Sequence, residues 1–227
     1  MVETILPSTQ ILDIVTQTCG KRAVLQGFGD TQSAVSMVSS QSCCGTNVLG
    51  VIRFQQTREG SLIADGCIDG LTPGFHGLHV HEVGDLSQGC KSIGEHYNPL
   101  SATHGAPNDP EHKRHAGDLG NIVADETGRA TFRIVDNVLK VWDIIGRSVA
   151  VTERGDDFVT ISFACGIIAR SAGVFQNPKR ICACDGVVVW DEKDRPLAGK
   201  GRREETKEQR CCKKETHNDV VKPCCRV

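Results

Sequence analysis

The sequence predicts an all-β domain of sandwich or barrel type, flanked by shorter segments of different character. Two observations carry this. Short runs rich in branched and apolar residues recur from Val48 to about Arg170, and Gly-rich or Asp-Gly turns separate them. The runs are Val48–Phe54, Leu62–Ile68, Gly74–Glu82, Asn121–Ala124, Ala130–Ile134, Ser148–Val151 and Phe163–Ala169. Asp69-Gly70 and Asp125-Glu126-Thr127-Gly128 supply turn chemistry between them.

The flanks read differently. Pro7 suits a first helical turn, with Ser8 and Thr9 nearby. Ile11, Leu12 and Val15 line one helical face, and Gly20 stops the helix. Ala23-Val24-Leu25 reads as a short strand ended by Gly27 and Gly29, so residues 1–30 are too little for a domain of their own. Residues 31–46 are rich in Ser, Gln and Thr and read as a linker. The main domain is placed at 47–170. In the segment 171–227, Val187–Trp190 reads as one more strand, and the charged, polar stretch after Pro196 as disordered.

Composition narrows the function. A chain of 227 residues holds one main domain plus attachments. With 26 Lys and Arg against 28 Asp and Glu, the net charge is −2, which gives no case for nucleic-acid or membrane binding by bulk electrostatics. No run of about 18 apolar residues exists to span a membrane. Met1–Pro7 has neither a basic region nor an apolar signal core, so a cytoplasmic location is expected.

The chemistry concentrates in His79, His81, His96, His104, His115 and Asp118. His79 and His81 are two apart in a strand and point to one face, which suits copper or zinc. His96, His104, His115 and Asp118 lie in Gly/Pro/Asn-rich sequence, where three imidazoles and a carboxylate can close a tetrahedron around zinc. Isolated histidines in polar loops are usually solvated, but five within one span, two of them at strand spacing, favour a metal site.

The cysteines are numerous, 12 in all, and uneven. Cys43-Cys44, Cys182/Cys184, Cys211-Cys212 and Cys224-Cys225 are close pairs, a pattern of metal binding or thiol exchange rather than a disulfide scaffold. Cys182 and Cys184, two apart, can bind Cu(I) through soft sulfur or form a readily exchanged disulfide. Lys179 and Arg180 just upstream favour their thiolates. Cys67 reads as a small core residue and Cys19 as a helix-end residue. Cys211, Cys212, Cys224 and Cys225, with His217 between the pairs, read either as metal ligands or as solvated thiols.

The runs Gly74-Phe-His-Gly-Leu-His-Val-His-Glu82 and His115-Ala-Gly-Asp118-Leu-Gly-Asn121, with Asn98-Pro-Leu100 and Ile145-Gly-Arg147, resemble copper–zinc superoxide dismutase over roughly 47–170. Ala169–Pro178, Ile181-Cys-Ala-Cys-Asp-Gly186 and Arg195–Arg202 do not belong to those enzymes. They are similar to the tail of the copper chaperones for superoxide dismutase, and residues 2–29 resemble the second half of that family's N-terminal copper-carrying domain. The resemblance implies a Greek-key eight-stranded barrel or sandwich, preceded by an α/β remnant of a ferredoxin-like domain that begins after its copper-binding loop.

The resemblance also assigns roles. The zinc ligands would be His96, His104, His115 and Asp118. The copper site of the enzymes would correspond to His79, His81 and His96 plus a fourth histidine, replaced here by Thr152, so this copper site would be vestigial. A threonine hydroxyl is a poor copper ligand. The loop that steers superoxide is cut short after Asp156-Asp157, and Ser162 stands where the enzymes carry an arginine. Asp156 would support a zinc-ligand histidine through a hydrogen bond. Cys90 and Cys165 would form the intrasubunit disulfide, two reduced thiols being the other reading.

Two functions follow as expectations. The first is a copper chaperone that carries zinc structurally and copper as cargo. It would pass Cu(I) through Cys182 and Cys184 to cytosolic superoxide dismutase and promote that client's disulfide. It would pair with its client, and with its own copy, through one face near Gly84-Asp85, Ile145-Gly146 and Gly166-Ile167-Ile168. The alternative is a divergent dismutase using His79, His81 and His96, which Thr152 and the short loop oppose.

Overall fold

Antiparallel strand pairing organises the chain from Ser33 onward. In this computed structural model, residues 4–21, 23, 25, 32–40, 48–153, 162–171 and 173 are described. The helix α1 spans Ser8–Cys19, and strands β1 to β4 span Ser33–Ser39, Leu49–Gln56, Leu62–Asp69 and Gly74–His81. Strand β5 is Ser87–Cys90, β6 Asp118–Ala124, β7 Arg129–Asp136, the short helix α2 Val141–Ile144, β8 Ser148–Thr152 and β9 Ser162–Ser171.

Eight strands close an antiparallel barrel in the order β1-β2-β3-β7-β6-β4-β8-β9. The Greek-key step is β4, which crosses from β3 to lie between β6 and β8, while β7 returns beside β3 and β6 lies between β7 and β4. Closure leaves the eight without a free edge. Ile52 and Phe54 of β2, Leu62, Ala64 and Ile68 of β3, Leu78 and Val80 of β4 and Val149 and Val151 of β8 fill the interior. Each large apolar side chain buried there contributes about 1.5–3 kcal/mol. The Asp125 turn joins β6 to β7: Asp125 Oδ1 accepts the amides of Thr127 at 2.8 Å and Arg129 at 3.1 Å.

The predicted linker 31–46 is corrected by β1. Ser33–Ser39 pairs with β2 on one side and β9 on the other, so it is a barrel stave. Its alternation is real but carried by small residues: Ala34, Ser36 and Val38 point inward and are buried, while Met37 is 43% exposed. Small inward side chains fit because the neighbouring β9 backbone approaches closely: a Cβ on Gly166 would fall 2.0 Å from the Met37 carbonyl oxygen. A serine-rich stave therefore looks polar in composition while packing as core.

The helix forms as predicted, starting at Ser8 with Pro7 in the capping position and ending at Gly20 in the left-handed conformation (φ 62°). No side chain of its own segment caps it. Asp65 does so instead: this carboxylate lies on the outer face of β3, opposite Arg53 and Arg133, and accepts both the amide of Ser8, at 2.9 Å, and its hydroxyl. Arg133 Nη1 donates to the Leu6 carbonyl at 2.8 Å. Ile11 and Leu12 become half-buried, while Ile14 and Val15 stay exposed. The strand expected at Ala23-Val24-Leu25 is not formed at Ala23 or Leu25, and Val24 lies outside the described residues. The expectations for Val187–Trp190 and the tail also fall outside them.

The helix is thus tied to the barrel mainly through polar contacts at one end. Ser8→Ala removes a hydrogen bond to a charged acceptor, a class contributing about 1.5–3 kcal/mol. Amide hydrogen exchange across Leu12–Cys19 should then speed up about tenfold or more, with the barrel strands unchanged.

Candidate metal centre

The site grows from the end of β4 and the start of β6. His79 and His81 sit on β4, both nearly fully buried, as two-residue strand spacing predicts. A bulge between Gly77 and His79 brings His79 opposite Asp118, the first residue of β6. The long connection between them returns twice to this point. His81 bridges to His96, Tyr97 N–H donates to the Val80 carbonyl at 2.8 Å, and Val80 N–H donates to the Gly117 carbonyl at 2.9 Å.

Asp118 is the focus. Its side chain is fully buried, and its two oxygens meet three Nδ1 atoms: His96 at 2.7 Å, His104 at 3.0 Å and His115 at 3.4 Å. Burial alone would raise its carboxyl. The hydrogen bond from His96 and the positive potential of His104, His96 and His115 outweigh that and hold it below the usual carboxylate range. One ligand atom from each of the four residues lies within 4.8 Å of every other. A tetrahedral zinc with bonds of about 2.0 Å separates its ligand atoms by about 3.3 Å, so these spacings fit zinc. The chemistry agrees, since three imidazoles and one carboxylate are borderline ligands suited to that ion. His115 Nδ1 is buried and makes no hydrogen bond, as a nitrogen reserved for a metal would.

Behind the quartet lies a buried support. Arg114, only 1% exposed, donates through Nη1 to the Asp118 carbonyl at 2.7 Å and forms an ion pair with Asp136. Asp136 Oδ1 accepts the amides of Val138 at 2.8 Å and Leu139 at 2.7 Å. No local sequence signal marks this pair, although Arg114 sits directly before His115.

The copper-like cluster is present as three imidazoles. The His79 and His96 rings stack at 4.1 Å between centroids, and His81 and His96 meet edge-on at 5.0 Å. His81 Nδ1 lies 2.8 Å from the Gly94 carbonyl, which must be accepting from it, so the lone pair is on Nε2. Burial, with added repulsion from His96 and His79, pushes the His81 imidazole down to about 4 and keeps it neutral. Thr152 does not join them: its Oγ1 accepts the Gly77 amide at 2.8 Å, and its carbonyl lies 2.8 Å from Nδ1 of His76. That hydroxyl is committed to backbone. His76 is engaged at both nitrogens, Nε2 lying 2.7 Å from the Thr72 carbonyl.

Cys90 of β5 is bonded to Cys165 of β9, joining the segment before His96 to the barrel wall. Cys67 lies half-buried, and burial raises its thiol. Cys182, Cys184 and Asp156 lie outside the described residues, as do Cys211, Cys212, Cys224 and Cys225.

A closed eight-stranded barrel carrying this quartet defines a domain of the copper/zinc superoxide dismutase class, and the profile described as Copper/zinc superoxide dismutase (SODC) matches residues 48–172. A solved structure titled as that of the clock protein EA4 superposes with a TM-score of 0.55 at 35% identity, covering 66% of this chain and 98% of the other. Whole-chain similarity is more specific. The copper chaperone for superoxide dismutase of Rattus norvegicus is 49% identical over 219 residues, covering 90% of this chain and 78% of the relative. That of Homo sapiens is 49% identical over 222 residues, with the same coverage. A protein of Oryza sativa subsp. japonica, named as a chloroplastic copper chaperone for superoxide dismutase, is 37% identical over 186 residues, covering 82% of this chain and 56% of the relative. The chain belongs to the copper chaperone for superoxide dismutase family.

Asp118→Asn keeps the shape of the quartet's focus and removes its charge. Zinc affinity, read by competition with a chelating dye, should fall by more than the ~100-fold that loss of an outer hydrogen-bond partner costs. The zinc-dependent rise in melting temperature should vanish with it.

Proposed function

We propose that this protein is a copper chaperone. It delivers Cu(I) to cytosolic copper–zinc superoxide dismutase and promotes disulfide formation there, and its barrel serves as a zinc-folded docking unit. The observation that carries the reading is Thr152. At the position where the dismutase resemblance calls for a fourth copper imidazole, its hydroxyl is bonded to the Gly77 backbone, beside an intact zinc quartet. The barrel holds zinc well and offers copper no fourth nitrogen.

Copper is then cargo for Cys182 and Cys184, whose soft thiolates suit Cu(I). Their second task is thiol exchange. Once copper has left, dioxygen takes two electrons and two protons from the Cys182 and Cys184 thiols and becomes hydrogen peroxide. A client thiolate then attacks the resulting Cys182–Cys184 disulfide, a mixed disulfide forms, and the client's second thiolate resolves it. The client gains one disulfide, and Cys182 and Cys184 leave as two thiols, so electrons balance within the exchange. Asp156 is assigned the support of a zinc-ligand histidine, and the Cys90–Cys165 bond the anchoring of the loop ahead of His96.

Docking uses the face at Gly84-Asp85, Ile145-Gly146 and Gly166-Ile167-Ile168, for a heterodimer with the client and a homodimer in its absence. Backbones pack closely there: a Cβ on Gly84 would fall 2.0 Å from the Gly146 carbonyl oxygen. Val83 and Ile167, 41% and 42% exposed, offer apolar contact around that backbone patch. Among the described residues no helix is long and apolar enough to cross a membrane, and cytoplasm is the compartment where the client is met.

The test uses the full chain and Cys182→Ser/Cys184→Ser, each supplied with one equivalent of Cu(I) and mixed in air-saturated buffer with metal-poor, disulfide-reduced dismutase. Wild type should activate the client, and the double variant should lose activation while keeping its zinc affinity. Unchanged activation by the variant defeats the transfer route. Dismutation of superoxide by the copper-loaded chain alone, at the rate of the ordinary enzyme, defeats the chaperone reading.

A further inference from the structure

Arg147 is where three segments meet. Its Nε donates to the Asp143 carbonyl of α2 at 2.6 Å, and its Nη1 donates to the Glu82 carbonyl just beyond β4, also at 2.6 Å. Its guanidinium carbon lies over the Tyr97 ring, 3.9 Å from the centroid. Tyr97 directly follows the ligand His96, and its backbone is fixed on both sides. Tyr97 N–H donates to Val80 at 2.8 Å, and its carbonyl accepts Gly117 N–H at 2.8 Å, one residue before Asp118. The ring under Arg147 is therefore held by the same segments that bring His96 to Asp118.

The backbone of Arg147 faces the other way. Its carbonyl accepts Ile168 N–H at 2.8 Å, and the preceding Gly146 N–H donates to the Ile168 carbonyl at 2.9 Å. The next residue, Ser148, donates its hydroxyl to the Val83 carbonyl at 2.7 Å. Gly146, Ile168 and Val83 all belong to the proposed docking face or border it. One residue thus builds the face with its main chain and clamps the metal loop with its side chain.

We infer that Arg147 is the positioning residue through which zinc binding strengthens association of two copies of this chain, an inference that rests on the docking-face reading above. The coupling is mechanical. Zinc joins His96 to His104, His115 and Asp118, which fixes the Tyr97 ring as a platform. On that platform the guanidinium holds both carbonyl bonds, and these set the Glu82–Gly84 and Asp143–Gly146 segments in the docking arrangement. With the quartet open, the ring is released, the fork loses its backing, and the two segments relax independently. Thermodynamic linkage then requires reciprocity: zinc tightens the dimer by the factor by which dimerisation tightens zinc.

Sedimentation velocity on the full chain, zinc-loaded and chelated, measures one arm. A zinc competition titration above and below the dimer dissociation constant measures the other. Both should show the same factor, about five- to tenfold, within the range of such couplings. Arg147→Ala should bring both factors to about one, and since each factor is a ratio taken within one variant, a change in the monomer's own zinc affinity cancels from it. Tyr97→Leu, which keeps an apolar side chain and removes the aromatic platform, should do the same without touching Arg147, and Arg147→Lys should give an intermediate factor. Undiminished zinc dependence in Arg147→Ala and Tyr97→Leu overturns the role of Arg147 and leaves the docking face standing. No self-association under any condition overturns the face as a homodimer surface, and the coupling with it.

Discussion

The Asp118 carboxylate is the constraint on which the rest depends. It is fully buried at the head of β6 and surrounded by three Nδ1 atoms that come from a connection with little regular structure. A buried carboxylate without partners is costly. Here the partners are imidazoles separated widely in sequence, so satisfying one charge orders the loop that carries them. On the proposed reading, zinc in the quartet turns that tendency into a cross-link, adding binding free energy to folding free energy. Arg114, the Asp136 ion pair behind it and the Cys90–Cys165 bond tie the same loop to the barrel wall from other sides.

The second metal position shows the opposite logic. Three imidazoles remain close together, but Thr152 turns its hydroxyl to the Gly77 backbone instead of presenting a nitrogen. A barrel that no longer completes a copper centre is free to serve as a recognition surface. On this account copper chemistry moves to thiolates outside the barrel, and the barrel's contribution is shape: a fold matched to the client, with its docking face kept in register by the zinc loop.

Much of this was legible in the residues. The barrel strands from β2 onward showed in branched runs and Asp-Gly turns, because each has one face in the core and one in solvent or against a neighbour. The quartet showed because imidazole is rare enough for seven histidines between His76 and His115 to stand out. What stayed hidden was carried by small or ordinary residues. Strand β1 packs Ala34, Ser36 and Val38 inward, and serine in a narrow seam is compositionally identical to serine in a linker. The capping of α1 by Asp65 links residues 57 apart, and the stacking of Arg147 on Tyr97 joins different loops; no local pattern announces such pairs. Arg114 was hidden because a lone arginine in a polar stretch reads as exposed, whereas a buried partner and a backbone carbonyl hold it inside.

Zinc K-edge X-ray absorption on the full chain carrying one equivalent of zinc decides whether this quartet is the zinc site. The expected nearest neighbours are three nitrogens and one oxygen at about 2.0 Å, with multiple scattering from imidazole rings and no sulfur contribution. A sulfur shell at about 2.3 Å would place the zinc on cysteines and rule the quartet out as its site.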